Sequence, residues 1–155
     1  MNTSKNGNID RKDFWDGKIL VWEEERYNKD RKGFSWLERI ASNASQSLRY
    51  RLALTENILL SNCHGKTIAE VGCGTSRLAS KLIEAGAEHY HGFDISSVAI
   101  ERATACAAQA EISDKVSYTV ANIDSLPNLH TDIVFSMGLL DWLSDTEIEM
   151  LLHKS

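Results

Sequence analysis

The sequence predicts an α/β fold, a doubly wound parallel sheet with helices on both faces. Three observations lead there. Residues 66–78 read Lys-Thr-Ile-Ala-Glu-Val-Gly-Cys-Gly-Thr-Ser-Arg-Leu, a buried strand (Thr67 to Val71), a glycine turn, and a helix starting near Thr75 or Ser76. A strand that feeds a glycine loop and a helix is the nucleotide-binding corner of such sheets. Strand-like and helix-like stretches then alternate, which implies parallel pairing through helical crossovers. Finally, Gly72 to Ser76, Asp94, Asn122 and Met137 to Asp141 all fall at the carboxyl ends of strands, where ligands bind in this architecture.

Composition bounds the problem. The chain has 155 residues, 43% hydrophobic and 25% charged, which is one ordinary globular domain. Its net charge of −5 offers no long-range attraction to nucleic acid or an anionic membrane. Cys63, Cys73 and Cys106 form neither a Cys-x-x-Cys nor an even set, so no disulfide framework or zinc site is expected, and a reducing cytoplasm fits. The opening Met1-Asn-Thr-Ser-Lys has no apolar run, and no stretch approaches a membrane span.

In chain order, residues 1–13 read as a polar terminus. Phe14 to Tyr27 mixes Phe14, Trp15, Ile19, Leu20 and Trp22 with charges. This suits one face of a short helix, either an arm packed on the core or a lid over a substrate pocket. With a charged linker from Tyr27 to Gly33, residues 1–34 form an N-terminal arm and residues 35–155 the main domain. Ser35 is a candidate cap for a helix bearing Trp36, Leu37, Ile40, Ala41 and Ala44. Leu48 to Leu60 continues at helical spacing, with Arg49 and Arg51 on a solvated face or, alternatively, on a substrate anion. Cys63-His64-Gly65 turns into the first strand.

Past the glycine corner, Leu78, Ala79, Leu82 and Ile83 give a helix face closed by Gly86. Glu88 to Ile95 reads as the second strand. Ser96 or Ser97 caps a helix with Val98, Ile100, Ala103, Ala107 and Ala108. Val116, Tyr118 and Val120 alternate as a third strand, with Asn122 to Pro127 as its exit loop. Asp132 to Ser136 reads as a fourth, apolar strand, and Met137 to Leu143 as a loop. Ser144 or Asp145 caps a last helix with Ile148, Met150, Leu151 and Leu152.

The glycine corner can be sorted by ligand. A dinucleotide fingerprint needs a third glycine where Arg77 stands, and a phosphate loop needs Gly-Lys-Ser/Thr where Gly74-Thr75-Ser76 stands. Glu70 beside the turn suits an amine or a cation better than a pyrophosphate. Asp94 follows the turn by roughly twenty residues, the spacing of an acid that holds ribose hydroxyls.

The run Glu70-Val71-Gly72-Cys73-Gly74-Thr75-Ser76 resembles the first motif of class I S-adenosylmethionine-dependent methyltransferases, with Ser76 where that family usually has glycine. The resemblance covers roughly residues 48–150 through four motifs in order. It implies a Rossmann-like sheet and S-adenosylmethionine as cofactor. Glu70, Gly72, Cys73 and Gly74 would form the cofactor loop, and Asp94 would hold the ribose. Ile95 would pack on adenine, Asn122 and Ile123 would read the adenine edge, and Met137 would lie beside the methionine portion. Asp141 is the candidate general acid or base, or else a loop or cap carboxylate. Trp142 reads as a pocket wall or core residue. His89 and His91 lack a third ligand for a metal. The implied function is methyl transfer to an acceptor, expected to be a small molecule. The alternatives are a non-catalytic binding module and, disfavoured by Arg77, a nicotinamide-dependent oxidoreductase. Family members carry seven strands, and only four are read here. Asp132 to Ser136 is therefore expected to be an open edge in a shortened chain, prone to self-association or cover by a partner chain.

Overall fold

The computed structural model describes residues 10–27 and 50–155, apart from the side chains of residue 22 and residues 24–27. Helix α1 spans Arg11–Tyr27, and residues 50–60 form helix α2. Strand β1 (Thr67–Val71), α3 (Ala79–Glu84), β2 (His89–Asp94), α4 (Ser97–Gln109), β3 (Val116–Val120) and β4 (Ile133–Phe135) follow. A short 3-10 turn (Leu140–Trp142) and α5 (Asp145–Lys154) come last. All strand pairs are parallel, in the order β3-β2-β1-β4.

That order reverses direction at β1. The chain steps from β1 to β2 to β3 and then crosses to the other side of β1 for β4. The crevice lies beyond the carboxyl ends at this switch point. Register keeps those ends level, with Val71 opposite Phe93, Asp94 opposite Val120 and Glu70 opposite Phe135.

Two apolar clusters cover the two faces of the sheet, as the period-2 alternation of strand side chains requires. Ile68 and Tyr90 point into one, with Leu78, Leu82 and Val116. Ala69, Val71 and Phe93 point into the other, with Ile123, Leu126 and Leu151. Each fully buried Ile or Leu here contributes about 1.5–3 kcal/mol relative to exposure. The register that pairs Ile68 with Tyr90 also puts Glu70 on the Tyr90 face.

Several boundaries move from their sequence positions for identifiable reasons. The helix after the glycine corner begins at Ala79, not at Thr75 or Ser76. Ser76 sits at φ +61, in the left-handed region, and cannot be part of a right-handed helix. Helix α1 starts three residues before Phe14, because the Asp10 side chain accepts the Lys12 N–H at 2.8 Å and its carbonyl accepts the Phe14 N–H at 3.0 Å. Strand β4 is short. Asp132 is spent on Thr67, accepting its N–H at 2.8 Å and its hydroxyl at 3.0 Å, which pins β4 to β1. Ser96 and Ser144 are the caps of α4 and α5, and Ser144 forms a capping box with Glu147. Strand β4 is the edge of the described sheet. The expected helix from Ser35 to Ala44, the linker and Arg49 lie outside the described residues.

Candidate functional site

The site is built from four loops at the carboxyl ends of the strands, closed from above by α1. The β1 loop is anchored first. The N–H groups of Gly72 and Cys73 both donate to the Phe93 carbonyl, at 2.8 and 3.0 Å. Gly72, Gly74 and Ser76 all have positive φ, a coil that lets a ligand approach the backbone closely. Ser76 holds this conformation with a hydroxyl that accepts from the Tyr118 hydroxyl at 3.0 Å.

Asp94 joins the β1 and β2 loops. Its Oδ2 accepts the Gly74 N–H at 2.8 Å and its Oδ1 accepts the Ser96 N–H at 2.9 Å. Burial pushes this carboxyl above its usual range, and the amides of Ser96, Gly74 and Ile95 pull the other way. Each oxygen keeps a lone pair for a further donor.

Glu70 is 3% exposed and accepts a hydrogen bond from the Tyr90 hydroxyl. Burial raises its carboxyl to about 8, and the charges of Asp94 and Glu23 add to the rise. The side chain that looks like a fixed negative charge in the sequence is therefore mostly protonated at neutral pH until a cation arrives. Burial also raises the Cys73 thiol well above normal, which keeps it a neutral filler of the turn rather than a nucleophile.

Helix α1 lies across the mouth of the cleft. Asp16 accepts from the Ser96 hydroxyl at 2.6 Å and from the Val98 N–H at 3.3 Å. Lys12 and Ser96 hold its carboxyl well below the usual range. Glu23 accepts from the Thr75 N–H at 3.0 Å and from the Thr75 hydroxyl. At the helix start, Arg11 pairs with Glu147 at 2.7 Å. Trp15 stacks edge-on against Trp142, with ring centroids 5.0 Å apart. The arm thus touches the loops of β1 and β2 and the segment after β4.

The cleft, together with the open space at its mouth, has a volume of about 1060 Å3. The structure brings Glu70, Gly72, Cys73, Gly74, Asp94 and Ile95 together on its wall. Asn122, Ile123 and Met137 line it as well. Asn122 is partly committed, because its Oδ1 accepts the Ser125 N–H at 2.8 Å in a local turn. One lone pair and the amide NH2 are left for a ligand.

Asp141 is not brought to this cleft. It is exposed, on the 3-10 turn. Residues three apart share a face in such a turn. Leu139 and Trp142 take the cleft side, which leaves Asp141 off it. His89 and His91 stack at 4.4 Å, with His91 Nδ1 2.6 Å from the Ser117 hydroxyl. No group of three metal-ligating side chains occurs among the described residues. No described helix is long and apolar enough to cross a membrane.

Sequence reasoning missed Glu23 and Arg11 as cleft residues, and the Thr75 hydroxyl as the group that holds Glu23. A signal for Glu23 was present: Trp15, Ile19 and Glu23 recur at i, i+4 and i+8, one helical stripe, and all three line the cleft.

The profile of a family described as "Methyltransferase domain" matches residues 68–155. Curated relatives include protein arginine N-methyltransferase 1 of Schizosaccharomyces pombe, 30% identical over 101 residues, covering 64% of this chain and 29% of that protein. Protein arginine N-methyltransferase 1 of Saccharomyces cerevisiae is 30% identical over 119 residues, 76% of this chain and 33% of that protein. The chain thus spans about a third of the length of these relatives. Among solved structures, magnesium protoporphyrin IX methyltransferase from Synechocystis PCC 6803, crystallised with S-adenosylmethionine, superposes with a TM-score of 0.73 at 17% identity. It covers 99% of this chain and 73% of that one, and at that identity it shows the shared Rossmann-like fold.

Proposed function

The chain belongs to the methyltransferase domain family, and from that premise we propose that its cleft binds S-adenosylmethionine and serves methyl transfer to a small-molecule acceptor. The observation that supports this most is convergence. Glu70, the glycine turn, Asp94, Asn122 and Met137 come from four separate strand ends and line one cleft.

The cleft suits that cofactor on its own chemistry. The Asp94 carboxylate is fixed by two amides and keeps lone pairs for a diol. Ile95 and Ile123 offer apolar walls to a purine, and Asn122 an amide edge. Glu70 has the position to meet a cation, and its proton is the one a cation would displace. When bound, S-adenosylmethionine supplies an electrophilic methyl group on a sulfonium. In-line displacement then demands mainly alignment, and the chain's task is to hold donor and acceptor and to keep water out. Helix α1 serves this as a lid belonging to an N-terminal arm of residues 1–34, over a domain of residues 35–155. Trp15, Met137 and Trp142 form the acceptor side, and a lid that crosses the cleft favours an acceptor small enough to pass beneath it. With Asp141 off the cleft, an acceptor that needs no strong general base fits best. Cytoplasmic residence agrees with three unpaired cysteines.

Calorimetric titration with S-adenosylmethionine, S-adenosylhomocysteine and the nicotinamide dinucleotides tests the cofactor. Nicotinamide binding without a response to the adenosyl compounds would refute the reading. A methyl-donor turnover screen on the longest form of the gene product tests the acceptor. Cofactor binding with no turnover on any acceptor would favour a binding module.

A further inference from the structure

Glu23 occupies a place that a ligand of the glycine turn would use. Both of its carboxylate oxygens are taken up by Thr75, one by the backbone N–H and one by the hydroxyl. The residue is 7% exposed. A Cβ built on Gly74 would collide with Glu23 Oε1, so the carboxylate rests against the bare face of the turn. Its surroundings are already acidic, since Glu70 and Asp94 line the same cleft. A third carboxylate is held there because Thr75 supplies two convergent donors, and charge-assisted bonds of this kind are the strong ones.

An adenosyl-sulfur cofactor ends in an α-amino acid, whose carboxylate also needs donors. The Asp94 carboxylate, held by two backbone amides, repels it. Arg11 is engaged with Glu147. The Thr75 pair is a set of donors directly behind Glu23, itself a wall of this cleft, and it already holds a carboxylate.

We propose that Glu23 is an internal stand-in for the cofactor carboxylate. It fills the Thr75 donors itself, and the ligand's carboxylate displaces it. This inference rests on the cofactor reading above. Two consequences follow. Part of the ligand's binding energy is spent on evicting Glu23, and eviction loosens the second half of α1. Cofactor occupancy is thereby coupled to the position of the lid.

The test uses the full chain and two neutral-sulfur ligands, S-adenosylhomocysteine and 5′-methylthioadenosine, which lacks the amino acid. Dissociation constants are measured for wild type, Glu23→Gln and Glu23→Ala. S-adenosylhomocysteine should bind about tenfold tighter to Glu23→Ala, equivalent to about 1.4 kcal/mol, with a smaller gain for Glu23→Gln. Binding of 5′-methylthioadenosine should change less than about twofold, which also reports that each variant is folded. Near-isosteric Glu23→Gln keeps the question answerable where the alanine variant unfolds. Unchanged S-adenosylhomocysteine affinity with intact 5′-methylthioadenosine binding would overturn the inference by placing the ligand carboxylate elsewhere. Weaker S-adenosylhomocysteine binding would overturn it by making Glu23 a partner of the ligand ammonium. Failure of both ligands to bind wild type would refute the cofactor reading itself, and this inference with it.

Discussion

Replacing Glu70 with glutamine should flatten part of the pH dependence of stability. Glu70 is buried, its partner is the Tyr90 hydroxyl, and its carboxyl is raised to about 8 chiefly by burial. In the unfolded chain a glutamate titrates near 4.3. A raised folded value means that the folded state holds the proton more tightly. Its stabilising contribution is complete below the unfolded value and is lost as pH rises toward 8. The limiting slope is about 1.36 kcal/mol per pH unit. From pH 5.5 to 7.5 that gives at most about 2.7 kcal/mol, and relaxation around the buried charge brings the expectation to about 1–3 kcal/mol. Against a domain stability of about 5–15 kcal/mol this is readily measured. Tyr90 and Cys73 are raised well above their ordinary values, so both stay neutral across the window. Asp94 is raised too and acts in the same direction. Glu70→Gln keeps the shape and a carbonyl acceptor for Tyr90 but loses the titration. Urea unfolding of both proteins, followed by tryptophan fluorescence at pH 5.5 and 7.5, should show the variant gaining on wild type by that amount. Parallel profiles would refute the argument. A ligand cation beside Glu70 should also ionise it, so cofactor binding at pH 7 should release a proton from wild type and not from the variant. Calorimetry in two buffers of different ionisation enthalpy reads this directly.

Asp94→Ala should lower stability by about 2–4 kcal/mol as well as weakening cofactor binding at least about tenfold, because the amides of Gly74 and Ser96 lose their acceptor together. Thermal melts and titration separate the two effects, and an unchanged dissociation constant in a folded variant would remove Asp94 from the ribose. Ser76→Val should cost about 2 kcal/mol, from a β-branched residue at φ +61 and the loss of the Tyr118 partner. Wild-type stability in that variant would mean the turn takes another conformation. Ser144→Ala should lower stability by about 1 kcal/mol through the lost cap of α5, measured by urea unfolding.

The parts legible in the sequence are those fixed by local physics. Ile68, Ala69 and Val71 must be buried in a short strand, and Gly72 and Gly74 must turn it. Ser96 and Ser144 announce helix starts because their side chains satisfy amides a few residues ahead. Asp94 and Asn122 could be assigned to one site because a parallel sheet brings its carboxyl ends together wherever they fall in the chain. What stayed hidden depends on packing across sequence distance. Ser76 in the left-handed region is made affordable by Tyr118, 42 residues later. The proton on Glu70 follows from burial against Tyr90, 20 residues away. Glu23 reaches Thr75 across 52 residues, and nothing near either one in sequence announces the contact. The placement of Asp141 has a smaller cause: a 3-10 turn shifts which neighbours share a face, and Leu139 and Trp142 face the cleft while Asp141 is exposed.

Three carboxyl groups around one glycine turn need an account. Left ionised and unpaired in a buried cleft they would repel one another and pay for desolvation. The fold meets the problem differently for each. Asp94 is held by two backbone amides, Glu70 keeps its proton and accepts from the Tyr90 hydroxyl, and Glu23 takes the donors of Thr75. The cleft's own polar groups are therefore satisfied but poised. A ligand that brings a diol, a cation and a carboxylate can replace each arrangement with a matching one. A dinucleotide, which brings pyrophosphate charge to the same turn, would meet Asp94 as repulsion and would oppose the ionisation of Glu70. The distribution of acidic groups, more than the glycine spacing alone, is what inclines this corner of the sheet toward a sulfonium amino acid.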